Sequence, residues 1–308
     1  MKKIFITGSN GFIGRNLKEH FQEKYQLFTP SHQELDLLDA DQVRNYIRKN
    51  RIDIIIHCAN IGGGRDTVEL GDVVQINLRM FFNIARNEEM VSKIIHFGSG
   101  AEYDKSRPLK KVREEDFSRR VPVDDYGFYK YICSKYIEKA KNIICLRLFG
   151  VYGKYEDYRY KFISNSIVKN LLNLPLVINQ NVIFDYLYID DLVAIVRHFL
   201  EKKVKHRFYN LTPSSSIDLT DICQTVNAVS DFKSKIKVIN QGLNNEYTGD
   251  NTRLRKEIPG LSFTGYNQGI KDLFLYYRKI LSKIDRNILA QDKYIKYCRT
   301  KLLCHPRA

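Results

Sequence analysis

Nowhere in this 308-residue sequence do eighteen apolar residues run together, so no segment reads as a membrane-spanning helix. The start passes from Met1-Lys2-Lys3 straight into the strand-like Ile4-Phe5-Ile6-Thr7-Gly8, without the apolar stretch of a secretory leader. The expected setting is therefore the cytoplasm. None of the six cysteines (58, 133, 145, 223, 298 and 304) stands in a C-x-x-C pair. Scattered this widely, they suit reduced and mostly buried thiols rather than a disulfide framework. Internal repeats, low-complexity tracts and recognisable nucleic-acid motifs are missing too, so no nucleic-acid partner is expected. Acidic residues are fewer than basic ones, 35 against 50, which leaves a formal net charge of +15. That surplus suits an anionic ligand, but it also suits a plain lysine-rich surface. Only Arg278 to Arg307 forms a denser basic zone.

What is present is ordinary globular composition, 44% hydrophobic and 28% charged, enough for one large domain and a smaller one. Strand and helix signals alternate through the first half. KIFITG, YQLFTP, IDIIIHCAN, KIIHFGS and IICLRLF read as strands, and IDIIIHCAN is apolar throughout, as a central parallel strand should be. Between them lie helical patterns at GFIGRNLKEHFQEK, 40–49, VVQINLRMFFNIARNEEM and about 126–141. Past Gly153 the pattern loosens into a helix at about 159–173, a strand at PLVI and a strand-to-helix turn in FDYLYIDDLVAIVRHFLEKK. RFYNLT, LTDICQTVNAVS and KIKVIN follow as strand, helix and strand. The expected class is α/β, a Rossmann-type doubly wound parallel sheet with a smaller C-terminal α/β substrate-binding domain. Residues 1–155, completed by parts of 180–215, form the first domain; 156–280 form most of the second, and 281–308 a basic helical tail.

TGSNGFIG, Thr7 to Gly14, sits between the first strand and the first helix. Gly8, Gly11 and Gly14 let the backbone approach a pyrophosphate, whose charge meets the free N–H groups of the helix start, with Asn10, Phe12 and Ile13 between them. At the end of the second strand, where an acid would take the ribose hydroxyls of NAD, stand Thr29, Pro30, Ser31 and His32. Without that carboxylate a 2′-phosphate is not repelled, so Ser31 and His32 lean the choice slightly toward NADP over NAD. Asp36 and Leu37 stand where an adenine edge could be read, though Asp36 is equally suited to capping the following helix.

Residues 124–135, DDYGFYKYICSK, contain two Tyr-x-x-x-Lys pairs, Tyr126 with Lys130 and Tyr131 with Lys135; Tyr297 with Lys301 is a third. Tyr and Lys one turn apart share a helix face, where the cation favours loss of the phenolic proton. In a chain with 20 Tyr the spacing alone does not choose among them.

The choice comes from a resemblance. TGSNGFIG, the CAN after the third strand, Asn77 in INLRMFFNI, GSGAEYD, YGFYK, LRLFGVYG and DYLYIDDL occur here in the order found in extended short-chain dehydrogenase/reductases that act on nucleotide sugars. The resemblance covers about residues 1–275. It implies that Cys58, Ala59, Asn60 and Asn77 line the dinucleotide. It also implies a catalytic Tyr-Gly-x-x-Lys about 25 residues after a Ser or Thr that ends the fifth strand. Tyr126-Gly127-Phe128-Tyr129-Lys130 fits, 27 residues after Ser99; Tyr131 lacks the Gly, and Tyr297 has no upstream partner. By that resemblance Tyr126 is the proton donor, Lys130 lowers its pKa and holds the ribose, and Ser99 hydrogen-bonds the carbonyl oxygen.

Departures from family patterns narrow the reaction. Ser99 is followed by Gly100 and Ala101 rather than the Asp-Glu of 4,6-dehydratases, and Glu102 comes one place late. The fucose-synthase type resemblance would need a Cys at Ala101 and a His near Lys161. Plain 4-keto reduction of a nucleotide-activated 4-keto-6-deoxyhexose remains, with dTDP-4-keto-6-deoxyglucose going to dTDP-fucose as first choice, in surface-polysaccharide synthesis. Two alternatives stay open: a 4-epimerase with tightly held NAD, and a catalytically silent dinucleotide-binding regulator. Relatives place an Arg before the Asp-Tyr of DYLYIDD, where this chain has Phe184. Arg159, Arg253 and Arg255 are the candidate replacements for the diphosphate, with Asn165 and Asn179 as candidate contacts to sugar or base. A homodimer through the Tyr126 helix and its predecessor is a further implication of the resemblance.

Overall fold

The computed structural model describes residues 1–67, 71–298, 300 and 301. Cys304 and the last residues of the basic zone lie outside them. Six parallel strands form the central sheet: β1 (Lys3–Thr7), β2 (Gln26–Phe28), β3 (Ile54–His57), β4 (Lys93–Ser99), then, past the edge strand β5 (Leu109–Val112) of a second sheet, β6 (Ile143–Leu148), and finally Phe208–Leu211. Across the sheet they run Phe208–Leu211, β6, β4, β3, β1, β2, so the order reverses beside β1, as in a doubly wound fold.

Strand alternation sorts the core into two layers. Ile4 and Ile6 of β1 face α1 (Phe12–Phe21), whose Leu17 and Phe21 are buried with Leu192 and Val196 of the later helix Ile189–Glu201. Phe5 points the other way, into a layer built with Val43 and Ile47 of α2 (Ala40–Asn50), Phe81 of α3 (Val73–Ala85) and Tyr129 and Cys133 of α4 (Asp125–Ile137). A third cluster, around Ile167, Ile178, Ile222 and Leu273, sits beneath a two-stranded parallel ribbon of Leu176–Asn181 with Ile236–Leu243. Among the described residues no helix is long and apolar enough to cross a membrane.

Three expectations shift. Ser99 ends the fourth strand in chain order, which is the KIIHFGS of the sequence reading, where the resemblance implied a fifth. Asp39, not Asp36, caps α2, accepting from Asp41 and Gln42 N–H; the Asp36 carboxylate folds onto Leu38 N–H. α4 stops at Ile137, where the i→i−3 bonds from Lys139 and Ala140 tighten the chain, and α5 (Phe162–Leu171) starts only after a turn closed on Asp157. Among its described residues the basic tail holds a short α-helix, Arg286–Gln291, halted by Asp292 in the left-handed region at φ 45°, between 3-10 turns at Leu281–Lys283 and Ile295–Tyr297.

Candidate active site

The glycine turn is built for close approach. A Cβ on Gly14 would lie 2.3 Å from the Gly8 carbonyl oxygen, so only hydrogen lets α1 start against the turn. α1 has no acid in its first turn, which leaves its N-terminus electropositive. The turn opens on a cavity of about 390 Å³ lined by Gly8, Asn10, Gly11, Ser31, His32 and Asp36, with Leu37, Cys58, Ala59 and Asn60; of the other expected residues Gly14, Asn77 and Lys130 do not line it, and Phe12, Ile13 and Tyr126 line a neighbouring space. These features fit the adenosine and pyrophosphate of a dinucleotide. Glu34, overlooked in the sequence, curls back so that its carboxylate accepts the Ser31 N–H, and it does not line the cavity.

Asn77 differs from expectation. It is 3% exposed and spends its amide on the backbone, accepting from Ile61 N–H and donating to Ile61 and Val73 carbonyls. It pins the loop after β3 to α3 rather than facing a ligand.

A second cavity, of about 410 Å³, holds Phe12, Ile13, Ser99, Ala101 and Tyr126 together. Ser99 arrives at the end of β4 and Tyr126 in the first turn of α4, whose start is capped by Asp124 on Gly127 N–H. Lys130, one turn on and 6% exposed, donates to the Phe97 carbonyl at 2.6 Å and lies 6.0 Å from the Tyr126 ring centre. Lys105, ion-paired to Asp124 at 2.9 Å, stands 5.3 Å over the same ring. Gly63, at φ +84°, packs against the ring as well; a Cβ there would come within 2.5 Å of the Tyr126 ring. Tyr131 points elsewhere, its hydroxyl 3.0 Å from Ser118 on the exposed side of α4, and Lys135 pairs with Glu138. Of the three Tyr-Lys pairs, only Tyr126–Lys130 stands with Ser99.

Two groups in this cavity escaped the sequence reading. The Tyr247 hydroxyl lies 3.5 Å from Ser99 Oγ, and burial pushes it far up, keeping it a neutral donor. Glu156 is the one carboxyl in the lining among the described residues. Burial raises it to about 7 against the opposing effects of Lys161 and a 2.6 Å bond from Ser164 Oγ to Oε2. Neither has a sequence signal, since their neighbours at the site are 148 and 57 positions from them along the chain. Glu102, by contrast, is fully buried and structural. It accepts from Ser99 N–H, Ser134 Oγ and Arg147 Nε, as a strand-end residue aimed away from the cavity should.

Glu156 predicts a pH signature. A carboxyl whose folded pKa lies above its ordinary 4.5 keeps the folded state more protonated, so stability falls as pH rises from 4.5 to about 7. The penalty is on the order of 3 kcal/mol at neutral pH and above. Urea unfolding at pH 5 and pH 8 should show Glu156→Gln losing this slope and gaining at pH 8 relative to the parent. Parallel pH profiles for the two proteins would show that the carboxyl is ionised at no cost.

The cationic candidates sort differently from expectation. Arg159 closes its fork on Asp157, and Arg253 binds Glu115 and the Phe208 carbonyl; neither lines either cavity. Arg255 lines a shallow hollow with Thr252 and Lys256, remote from Ser99. A third cavity, of about 630 Å³, adjoins the second and contains Asn165 and Asn179. Asn165 is committed to the Tyr158 and Arg159 carbonyls. Arg65 and Lys105 line both cavities, at the throat between them.

The model of the NAD dependent epimerase/dehydratase family matches residues 4–212. Over 184 residues the chain is 27% identical to the GDP-L-colitose synthase of Yersinia pseudotuberculosis, an alignment covering 54% of this chain and 59% of that protein. The ADP-L-glycero-D-manno-heptose-6-epimerase of Brachyspira hyodysenteriae is 23% identical, with 91% of this chain and 98% of that one aligned. A GDP-L-fucose synthetase structure from Naegleria fowleri shares the fold with a TM-score of 0.80 at 16% identity, over 92% of this chain and 95% of that one.

Proposed function

Because the chain belongs to the NAD dependent epimerase/dehydratase family, we propose that it reduces the 4-keto group of a nucleotide-activated 4-keto-6-deoxyhexose with NADPH or NADH. The observation that carries the reading is one cavity in which Ser99 and Tyr126 face the same space, with Ala101 where a proton-shuttling thiol would be needed. When bound, the reduced dinucleotide supplies the hydride to the carbonyl carbon. Tyr126 gives its hydroxyl proton to the carbonyl oxygen as the C=O π pair becomes an O–H bond, and solvent restores that proton afterwards. Ser99 and Tyr247 donate hydrogen bonds to the same oxygen, stabilising the charge that builds there. Lys130, fixed on Phe97 O, and Lys105, fixed on Asp124, flank the resulting phenolate. The nucleotide base stays among dTDP, GDP and CDP, and the setting we favour is a surface-polysaccharide sugar.

One observation favours a second reading. Glu156, half-protonated near neutrality, shares the cavity with Lys161 and can take a proton from carbon beside the ketone. The chain would then epimerise at C3 or C5 as well as reduce.

The test runs dTDP-, GDP- and CDP-linked 4-keto-6-deoxyhexoses in D₂O with unlabelled NADPH or NADH, following nicotinamide absorbance and product NMR. We expect cofactor consumption, one new C–H bond at C4 and no enzyme-dependent deuterium at C3 or C5. NADPH should serve at least as well as NADH, since Glu34 is spent on Ser31. An NADH preference above about tenfold, some 1.4 kcal/mol, would mean that Glu34 reaches the ribose. Deuterium at C3 or C5 would install the Glu156 reading. Turnover without net oxidation of the cofactor would install the 4-epimerase.

A further inference from the structure

The basic C-terminal stretch has no part in the reaction above, yet it is bound at the substrate cavity. After the short helix Arg286–Gln291, Asp292 pairs at 2.6 Å with Lys169, a lysine of α5 only 4% exposed at its side chain. The Tyr294 ring meets Tyr160 at 5.4 Å, and Arg65 donates to Cys298 Sγ at 2.9 Å. Asn179 donates to Thr300 Oγ1. Gln180, itself 3% exposed, makes a two-bond amide pair with the Lys301 backbone: Lys301 N–H to Oε1 at 2.8 Å, and Nε2 to Lys301 O at 3.0 Å.

These contacts hold the segment along the rim of the 630 Å³ chamber, of which it forms one side through residues such as Ile295, Tyr297 and Thr300. The chamber stays open with the segment in place, so the segment is a wall and not an occupant. Its size is that of a small-molecule site. Its chemistry is that of a nucleotide site: cations at the throat (Arg65, Lys105), amides along the side (Asn179, Asn245), and aromatic faces such as Tyr186 for a base. Asp292, the one carboxylate in the lining among the described residues, is neutralised by Lys169.

We propose that residues 292–298, with 300 and 301, are a strap that completes the nucleotide end of the substrate site, so that a nucleoside diphosphate binds the strapped form and in turn holds the strap down. The proposal rests on the nucleotide-sugar reading above. It follows from Arg65: the strap's Cys298 and the Tyr160 carbonyl aim the guanidinium at the throat, which has no arginine before Asp185. Losing the strap removes the Cys298 partner from that guanidinium, opens the chamber on one side and strips both Lys301 bonds from the buried Gln180 amide. Coupling of this kind is reciprocal, so strap and nucleotide must protect each other to the same degree.

Two readouts test it on the whole protein. Calorimetric titration with UDP, GDP, dTDP and CDP compares the intact chain, a chain ending at Gln291, and full-length Gln180→Met, which keeps the side-chain volume but not the amide. The diphosphate preferred by the intact protein should bind at least about tenfold more weakly to the shortened chain and severalfold more weakly to Gln180→Met, with NADPH affinity unchanged in both. Tryptic cleavage after Lys293 and Lys296 should slow when that diphosphate saturates the intact protein. Full affinity in both variants, or cleavage indifferent to nucleotide, overturns the strap while leaving the nucleotide-sugar reading intact. Tighter binding on shortening overturns it too and makes the segment an inhibitor. An intact protein that binds none of the four diphosphates removes the nucleotide-sugar reading and the strap with it.

Discussion

Tyr126→Phe should lower kcat by a factor of about 10² to 10⁴, the usual contribution of a positioned proton donor, while dinucleotide affinity stays within twofold. The substitution removes one oxygen from a ring in contact with Gly63 and near the cations of Lys105 and Lys130, so the cavity keeps its shape. The matched control is Tyr131→Phe, one turn further along the same helix. Its hydroxyl reaches only Ser118 on the exposed side, and its loss should leave kcat unchanged. Steady-state rates with fluorescence titration of the cofactor decide the matter. A dead Tyr131→Phe beside an active Tyr126→Phe would transfer the role to the other pair.

The second large effect concerns folding. Arg147 and Glu102 are both fully buried and meet at 2.7 Å, with Arg147 packed over the Phe117 and Phe208 rings at 4.4 and 4.5 Å. Arg147→Met takes away the charge and leaves the Glu102 carboxylate stranded among hydroxyls and amides. Removing one partner of such a pair costs about 3–5 kcal/mol. Because Glu102 also takes the Ser99 N–H, the end of β4 should loosen, and kcat should fall with stability. The double variant Glu102→Leu/Arg147→Met should regain part of the loss, since no charge is then buried alone, while the Ser99 N–H and Ser134 Oγ donors left without Glu102 keep it below the parent. Urea denaturation of the two single variants and the double settles this. Losses that simply add would show that the two groups do not act as a pair.

That pair marks a limit of sequence reading. Glu102, three places after Ser99, has the sequence profile of a catalytic acid displaced by one position. Only the direction of the strand end sends it inward to an arginine 45 residues away. Arg159 and Arg253 failed for the converse reason. Sequence displays a charge but not its partner, and Asp157 and Glu115 had already claimed them. Arg65 opens a short 3-10 turn and Lys105 follows the GSGAEYD stretch without belonging to its pattern, and both became visible only when two cavities shared them. Asn77 stood in a motif, yet its amide was needed by the backbone of the adjoining loop.

By itself the sequence determined whatever depends on near neighbours along the chain. Alternating apolar runs specified the parallel sheet and its helices, because burial on two faces demands them. Three glycines within eight residues specified the phosphate turn, because only they permit that approach. Four-residue spacing placed Tyr126 and Lys130 on one helix face. Tertiary structure decided everything that requires distant segments to meet: which Tyr-Lys pair stands beside Ser99, which cations remain at the throat, and that Tyr247 and Glu156 enter the cavity. It also carried the C-terminal strap to Gln180, 121 residues earlier in the chain. Such contacts arise from the packing of whole elements, which no local pattern of residue types encodes.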